Sequence, residues 1–378
     1  MRDAPERIGH YVVERQLGSG GMGEVFLAFS PAGEPVAVKL IRNDRLDPVT
    51  RQRFEREALI ARTVVGTSRV ARFLGADPFE QRPWMAMEFI QGATLAEHVD
   101  RQGALPDADV ASLGALLTEG LQAVHATGLV HRDLKPQNVI MSPHGPVLID
   151  FGLGTFVDTT HDSLSQSGMI IGTVRCMPPE QADGHPHVTS AADIYGLGAV
   201  LLFAATGHYP YEAPSWQAVV AQIISPNREP NLEGVSPKLI PLLAPMLAHE
   251  PSDRPSLSAI TERCADVFSG CDLSPAQARN ALIDRTAVNS GWPTPGPAAT
   301  KLLDARSVSV ADDVVPDSPR DRPSGIGTES SNERPGDEGD APATADDAPD
   351  ATASGGRLLA SQRIAEQLRQ QYAAQSAL

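Results

Sequence analysis

The sequence predicts an α+β fold of two unequal lobes: a small β-rich lobe over residues 11–87 and a larger helical lobe over residues 91–268. Short apolar runs separated by glycine and proline turns dominate residues 11–40, as is typical of strands. From residue 106 onward, apolar residues recur at helical spacing instead. Because the two halves favour different secondary structure, we expect a crevice between the lobes, which is a usual position for a ligand site.

The N-terminal lobe is predicted to be a sheet with one main helix. Three strand-like runs cover residues 11–13, 25–29 and 36–40, and further strand-like segments extend to residue 90. Between them, an apolar stripe recurs at steps of four, three and four residues, which indicates a helix. The stripe consists of Phe54, Ala58, Ala61 and Val65.

The C-terminal lobe opens with a helix that starts near Pro106 and Asp107, residue types favoured in a first turn. Its inward stripe consists of Val110, Leu113, Leu117, Leu121 and Val124. Residues 194–206 form the longest apolar stretch, and this stretch is shorter than the ~20 residues needed to cross a bilayer. We therefore expect a buried core helix there and no membrane span.

Composition changes after residue 268. Residues 312–350 carry twelve acidic residues against three arginines and include no aromatic residue. Such a segment buries too little apolar surface to offset the entropy of ordering, so we expect residues 269–356 to be a disordered, Pro- and Asp-rich acidic linker. Residues 357–378 regain helix formers and are predicted to form either a short amphipathic helix or a frayed tail.

The charge balance excludes some classes of protein. The formal net charge is −16, with 31 basic and 47 acidic residues, which disfavours general nucleic-acid binding and docking on an anionic membrane. Three cysteines are too few for a disulfide framework, and residues 1–10 lack the apolar segment of a signal peptide. We therefore expect a cytoplasmic protein.

Residues 18–25, GSGGMGEV, match the pattern G-x-G-x-x-G-x-V. Glycines let the backbone approach a phosphate closely and present N–H groups to it. A dinucleotide-binding turn would need a helix to begin at Gly23, whereas residues 25–29 are strand formers, so the pattern favours a hairpin over phosphates. A glycine-rich turn without a ligand is the remaining alternative.

Lys39 ends the apolar run 36–39, where an ammonium group needs an anionic partner. Nucleotide phosphates could supply that partner, and so could Glu57 on the inward face of the predicted helix. A surface lysine at a strand end is the simpler alternative.

Residues 131–138, HRDLKPQN, place Asp133, Lys135 and Asn138 within six residues. Asp150 then follows a short apolar strand and begins the sequence DFG at 150–152. The oxygen atoms of Asn138 and Asp150 are hard donors, the type of ligand that suits Mg²⁺.

Together these motifs resemble the eukaryotic-like serine/threonine protein kinases of bacteria, especially of actinobacteria. The resemblance covers roughly residues 10–268, and it implies a kinase domain over residues 11–268 with the bilobal kinase fold. It also implies ATP and Mg²⁺ as cofactors, and Ser/Thr hydroxyls of proteins as acceptors. Residues 172–173 and 178–180 resemble the end of an activation segment. The usual A-P-E is here P-P-E, and a tyrosine common before it is replaced by Cys176.

The resemblance implies a role for each motif residue. The phosphates would be covered by Gly18, Ser19, Gly20, Gly21, Gly23 and Val25. Lys39, oriented by Glu57, would hold the α- and β-phosphates, and Asn138 and Asp150 would bind Mg²⁺. Asp133 would accept the proton of the substrate hydroxyl, and Lys135 would stabilise the transferred phosphoryl group. The adenine would lie among Leu17, Ala37, Met87, Glu88 and Ile90.

The resemblance also implies structural and regulatory roles. Glu180 is expected to pair with Arg254, and Asp193 to lie buried beneath the catalytic loop. Arg132, just before Asp133, marks activation through phosphorylation of the segment 153–172, with Ser165 and Ser167 as the favoured sites. Thr159, Thr160 and Ser163 remain alternatives.

Three other functions compete with a protein kinase. A nucleotide-binding scaffold would lack Lys39, Asp133 or Asp150, yet all three are present. A small-molecule phosphotransferase is disfavoured by the long segment between Asp150 and Glu180, and a cell-wall sensor by the lack of a predicted membrane span. Protein substrates and ATP are thus the expected partners, without nucleic acid, and self-association for phosphorylation of one copy by another is compatible with this interpretation.

Overall fold

The computed structural model describes residues 5–19, 23–41, 48–63, 67–150, 174–185, 188–287 and 293–309. Within these residues, the N-terminal lobe holds a six-stranded antiparallel sheet in the order β1-β2-β3-β4-β6-β5. The strands are β1 (Arg7–Ile8), β2 (Tyr11–Ser19), β3 (Gly23–Phe29), β4 (Pro35–Ile41), β5 (Phe73–Asp77) and β6 (Trp84–Glu88). The helix α1 (Pro48–Ala61) lies between β4 and β5 in the chain and starts six residues before the predicted stripe.

The C-terminal lobe combines helices with a small sheet, β7-β8-β9, formed by β7 (Ala93–Thr94), β8 (Val139–Ser142) and β9 (Gly145–Leu148). The helices that follow α1 are α2 (Leu95–Gln102), α3 (Asp107–Ala126), α4 (Pro179–Ala182), α5 (Ala191–Thr206), α6 (Trp216–Ile223), α7 (Ile240–Met246), α8 (Leu257–Ser269), α9 (Pro275–Thr286) and α10 (Pro297–Ser309). In the part of the chain that the structure describes, 3₁₀ turns cover Pro136–Asn138 and Pro251–Asp253.

The main core forms where α3 packs against α5 and α8. All five residues of the predicted inward stripe of α3 are fully buried: Val110, Leu113, Leu117, Leu121 and Val124. The α5 helix is buried on nearly every face, from Ala192 to Ala204, which explains its apolar character as that of a central core helix. No helix within the described ranges is both long and apolar enough to cross a membrane.

The N-terminal sheet is longer than the sequence predicts. The strand β2 runs from Tyr11 to Ser19, although only residues 11–13 were predicted. Its second half is exposed, so no apolar alternation marks it in the sequence, and hydrogen bonding to β3 holds it extended.

The prediction of disorder over residues 269–356 is wrong for the part that the structure describes. Residues 275–286 form α9, which starts with a capping box between Ser274 and Gln277. Ala278 and Leu282 are fully buried in the main core. The segment therefore buries apolar surface, which its composition did not indicate. Residues 297–309 form α10, and Ala299 is buried against the N-terminal sheet. Residues 310–356, and the predicted helix over 357–378, lie outside the described residues.

Candidate active site

The β8–β9 hairpin brings the two predicted metal ligands together. Val139 pairs with Leu148, and the backbone N–H of Ile149 donates to the carbonyl of Asn138 at 2.9 Å. Asn138 therefore immediately precedes one strand, and Asp150 follows the other after one residue. Asp150 has φ of 55°, a left-handed conformation that aspartate tolerates better than most residues.

Asp133 lies at the centre of a short polar network. Lys135 Nζ is 2.7 Å from Asp133 Oδ2. The side-chain amide of Asn138 donates to the backbone carbonyl of Asp133 at 2.9 Å and to Oδ2 at 3.0 Å. Because two donors fix one carboxylate oxygen, the orientation of the Asp133 carboxylate is determined, as a general base requires.

A buried aspartate holds the loop that carries Asp133. Asp193 is 1% exposed, and its carboxylate accepts the backbone N–H groups of His131 and Arg132, each at 2.8 Å. The same carboxylate lies 2.7 Å from His125 Nε2. These bonds hold Arg132 at φ of 65°, a left-handed conformation that a free chain seldom adopts. The prediction that Asp193 lies buried beneath the loop is confirmed.

Burial determines the protonation state of His131, the residue just before Arg132. His131 is fully buried, and burial, opposed by the carboxylates of Asp193, Asp133 and Asp150, lowers its pKa below the ordinary 6.5. His131 is therefore a neutral structural residue near pH 7, and its Nδ1 lies 3.4 Å from the backbone nitrogen of Asp133.

Lys39 comes from the opposite lobe. Its Nζ lies 3.4 Å from Asp150 Oδ1, so the crevice between the lobes is spanned by an ion pair. Lys39 pairs with Val25 on one side and Met85 on the other, which places it in the interior of the sheet. The side chain of Glu57, its second predicted partner, lies outside the described residues.

The glycine-rich sequence forms the ends of a β-hairpin. Gly18 pairs with Val25, Ser19 pairs with Glu24, and β3 begins directly at Gly23. A strand follows the glycines and no helix begins there, so the dinucleotide-binding alternative is excluded. A Cβ atom at Gly23 would lie 2.6 Å from the carbonyl oxygen of Leu40, which explains why a glycine is needed at this position. Gly20 and Gly21 lie outside the described residues.

The residues predicted to contact adenine lie on neighbouring strands and on the segment between the lobes. Ala37 and Met87 are direct cross-strand partners, and Met87 is buried. Leu17 is 38% exposed at an irregular point of β2, between Gln16 and Gly18. Glu88 and Ile90 are half-buried where the chain passes between the lobes, and the N–H of Glu88 is bonded to the carbonyl of Arg72.

Several residues that support the site were not predicted. Gln181 donates to the carbonyl of Arg132 at 3.3 Å, and Gln137 donates to the hydroxyl of Tyr209 at 3.3 Å. The guanidinium carbon of Arg175 lies 5.1 Å from the centre of the Tyr209 ring. Such contacts join segments distant in sequence, so no local motif could have indicated them. Residues 151–173, including Ser165, Ser167 and the other candidate phosphorylation sites, lie outside the described residues.

The fold and the site define the class of protein. A glycine-rich β-hairpin and a sheet lysine face a polar loop and a strand-end aspartate across an interlobe crevice. The family model described as the protein kinase domain matches residues 11–265, and the chain belongs to this family.

Relatives and a solved structure agree with this assignment. The chain is 41% identical over 272 residues to the probable serine/threonine-protein kinase PkwA of Thermomonospora curvata, a match covering 72% of this chain and 36% of that protein. It is 37% identical to the serine/threonine-protein kinase AfsK of Streptomyces coelicolor, over 78% of this chain and 37% of that protein. The chain thus spans little more than a third of these relatives' length. The resemblance to bacterial eukaryotic-like kinases is confirmed.

The fold is also that of the crystallised PknI kinase domain of Mycobacterium tuberculosis. The TM-score is 0.56 at 24% identity, and the match covers 70% of this chain and all of that one. The predicted bilobal kinase fold is therefore confirmed.

Proposed function

We propose that this chain is an ATP-dependent serine/threonine protein kinase that transfers the γ-phosphate of ATP to Ser/Thr hydroxyls of proteins in bacterial signalling. The observation that carries the proposal is the oriented carboxylate of Asp133, held by Lys135 and Asn138 on a loop that Asp193 fixes. Phosphoryl transfer passes through a loose transition state, so positioning and charge neutralisation supply most of the catalysis.

Each residue has a distinct task in this proposal. Asp133 accepts the proton of the attacking hydroxyl, while Lys135, 2.7 Å from it, neutralises charge on the transferred group. Lys39 holds the α- and β-phosphates, and Glu57 orients it. The glycine-rich hairpin covers the phosphates with backbone N–H groups. The adenine lies on Ala37 and Met87. Its edge contacts backbone groups of residues 88–90 other than the N–H of Glu88, which is bonded to Arg72.

The donor set fits Mg²⁺. Mg²⁺ is usually bound in kinases by one or two protein oxygens together with substrate phosphates and water. The amide nitrogen of Asn138 is directed to Asp133, which leaves Oδ1 of Asn138 as its metal-binding atom beside the carboxylate of Asp150. When bound, Mg²⁺ would neutralise charge on the β- and γ-phosphates.

The wider assignments belong to the same proposal. We take residues 11–268 as the catalytic domain and the cytoplasm as its location. We also propose that one copy of the chain phosphorylates the segment 153–172 of another copy. Arg132 supports this last step, because it lies immediately before Asp133 and its guanidinium can form charge-assisted, bidentate bonds with a phosphate. Ser165 and Ser167 are the proposed acceptors.

The proposal is tested by incubating the full chain with Mg²⁺, radiolabelled ATP and a generic protein acceptor. Wild type should label the acceptor and itself on serine or threonine, and the Asp133→Asn variant should lose this labelling while still binding ATP. Nucleotide binding without transfer by wild type would instead support the scaffold alternative. Labelling of small molecules but of no protein would favour the small-molecule phosphotransferase.

A further inference from the structure

The helix α10 packs on the N-terminal sheet, and its residues lie beyond the matched family domain. Ala299 is 2% exposed and forms a small apolar cluster with Val12 of β2 and Phe29 of β3, both fully buried. Leu302 and Leu303 are partly buried against the same cluster. These three residues have the i, i+3, i+4 spacing of a single helix face, so α10 lies on the sheet through one apolar stripe.

Polar contacts fix the position of this helix. The backbone N–H of Gly296 donates to Glu14 Oε2 at 3.1 Å, and Arg7 donates to the carbonyl of Leu302. Contacts of β1 and β2 at both ends of the apolar stripe define one docked position for α10.

The preceding helix, α9, is anchored on the other lobe. Ala278, Leu282 and Thr286 are buried, and Arg285 Nε lies 2.5 Å from the buried carboxylate of Asp109 in α3. Only nine residue steps separate Ala287 from Gly296, and nine steps reach about 30 Å at most when fully extended. The described helices α9 and α10 therefore pack on different lobes, α9 on the C-terminal lobe and α10 on the N-terminal sheet.

The docked helix packs against the base of the glycine-rich hairpin, which is the end of the two strands that lies away from the loop. Val12 and Phe29 are cross-strand partners at the open end of the β2–β3 ladder, and Gly18 and Val25 are partners near its loop end. β2 is exposed from residue 14 to residue 19 and pairs there with β3, with register irregularities after Val13 and after Gln16. β3, in contrast, is also paired with β4 along its whole length. A shift of β2 at Val12 thus reaches the glycine-rich loop along the exposed half of this strand, which β4 does not hold.

We propose that α10 positions the glycine-rich hairpin over the nucleotide, with Ala299, Leu302 and Leu303 as positioning residues. This inference rests on the proposed kinase function, since it takes the hairpin to cover ATP. Undocking of α10 frees the base of the hairpin and weakens nucleotide binding, whereas Asp133, Lys135 and Asn138 in the other lobe are unaffected.

The adjacent alanines 298 and 299 offer a matched test. Ala299 is buried in the cluster, while Ala298 is exposed one residue earlier in the same first turn. In the full chain, Ala299→Glu places a charge in the apolar contact, and Ala298→Glu places the same charge in solvent. Both glutamates lie at a helix N-terminus, so their effect on α10 itself is similar.

The predicted signature is a split between the two kinetic constants. Ala299→Glu should raise KM for ATP by about fivefold or more and leave kcat within roughly twofold of wild type. Ala298→Glu should match wild type, and the milder Leu302→Ala should raise KM by a smaller factor. Hydrogen exchange should accelerate in residues 14–19 of Ala299→Glu alone.

Two results would overturn the proposal: an unchanged KM in Ala299→Glu, or a parallel fall of kcat with a lowered melting temperature, which would indicate a purely structural helix. If wild type shows no transfer at all, the proposed function fails instead. Positioning is then still tested by calorimetry with Mg²⁺ and a non-hydrolysable ATP analogue. Ala299→Glu should bind that analogue at least about fivefold more weakly than Ala298→Glu, and equal affinities would sink the idea.

Discussion

Arg254 and Glu180 form a doubly hydrogen-bonded ion pair: Arg254 Nη1 and Nη2 donate to the two carboxylate oxygens of Glu180, each at 2.8 Å. The remaining donors of the guanidinium group reach the carbonyls of residues 191, 248 and 249. All five N–H groups of Arg254 are therefore bonded, and its guanidinium carbon lies 5.1 Å from the centre of the Tyr195 ring. The pairing expected from the sequence is confirmed.

Removing Arg254 should destabilise the C-terminal lobe strongly. Arg254→Ala leaves the carboxylate of Glu180 buried without its partner, and the free energy of unfolding should fall by about 3–5 kcal/mol. Arg101→Ala is the matched control, because Arg101 pairs with Glu97 on an exposed helix face. That change should cost less than about 1 kcal/mol. Urea unfolding measures both, and equal losses would contradict the prediction.

Asp133 and Asp150 should be separable by their kinetic effects. Asp133→Asn removes the general base, so kcat should fall by about 10²–10⁴ with ATP affinity nearly intact. Asp150→Asn removes a proposed metal ligand and the partner of Lys39, so it should weaken binding of Mg²⁺ with ATP. Calorimetric titration together with steady-state kinetics distinguishes the two. Near-normal autophosphorylation by Asp133→Asn would exclude the mechanism.

Composition alone suggests that a chain ending after Ser269 stays folded and active, whereas the structure predicts that this chain is less stable. Such a chain loses α9, which exposes the core under Ala278 and Leu282 and leaves Asp109 without Arg285. The free energy of unfolding should fall by at least about 2 kcal/mol. A chain ending after Ser309 keeps both helices and should retain wild-type stability. An unchanged urea midpoint in the shorter chain would show that α9 contributes nothing.

His98 should make stability depend on pH. His98 is buried, and burial with the neighbouring Arg285 lowers its pKa below 6.5, opposed by Asp109. The unfolded chain therefore binds more protons there than the folded one as pH falls below 6.5, so this contribution to stability is present above 6.5 and declines toward lower pH. Nuclear magnetic resonance titration should place the His98 pKa below 6.5, and higher in Arg285→Gln. An ordinary value in wild type would refute this.

The segment that follows Asp150 should be a phosphorylation switch. After incubation with Mg²⁺ and ATP, phosphate should map to Ser165 or Ser167 by mass spectrometry. A double change of both serines to alanine should lower activity toward a second protein, because Arg132 then gains no phosphate partner. Full activity of the double variant, with no phosphate between residues 155 and 173, would exclude the switch.

The motif residues were predictable because each lies within a short, chemically distinctive run. Asp133, Lys135 and Asn138 lie within six residues, so their proximity is almost guaranteed by the chain. The length of β2 and the packing of α9 and α10 were not predictable. β2 extends through exposed residues because β3 pairs with it. Leu282 and Ala299 are apolar residues among polar neighbours in the sequence, and their burial depends on surfaces that other elements supply.

The sequence by itself determined the two-lobe plan, the central apolar helix and the candidate catalytic residues, because local periodicity and short motifs encode them. Tertiary structure alone decided that Lys39 reaches Asp150 across 111 residues and that Asp193 holds the loop at Arg132. It also decided that α9 and α10 pack on opposite lobes. Contacts of this kind depend on which surfaces face one another after folding, and hydrophobic burial is non-directional, so an apolar stripe in the sequence does not specify its partner.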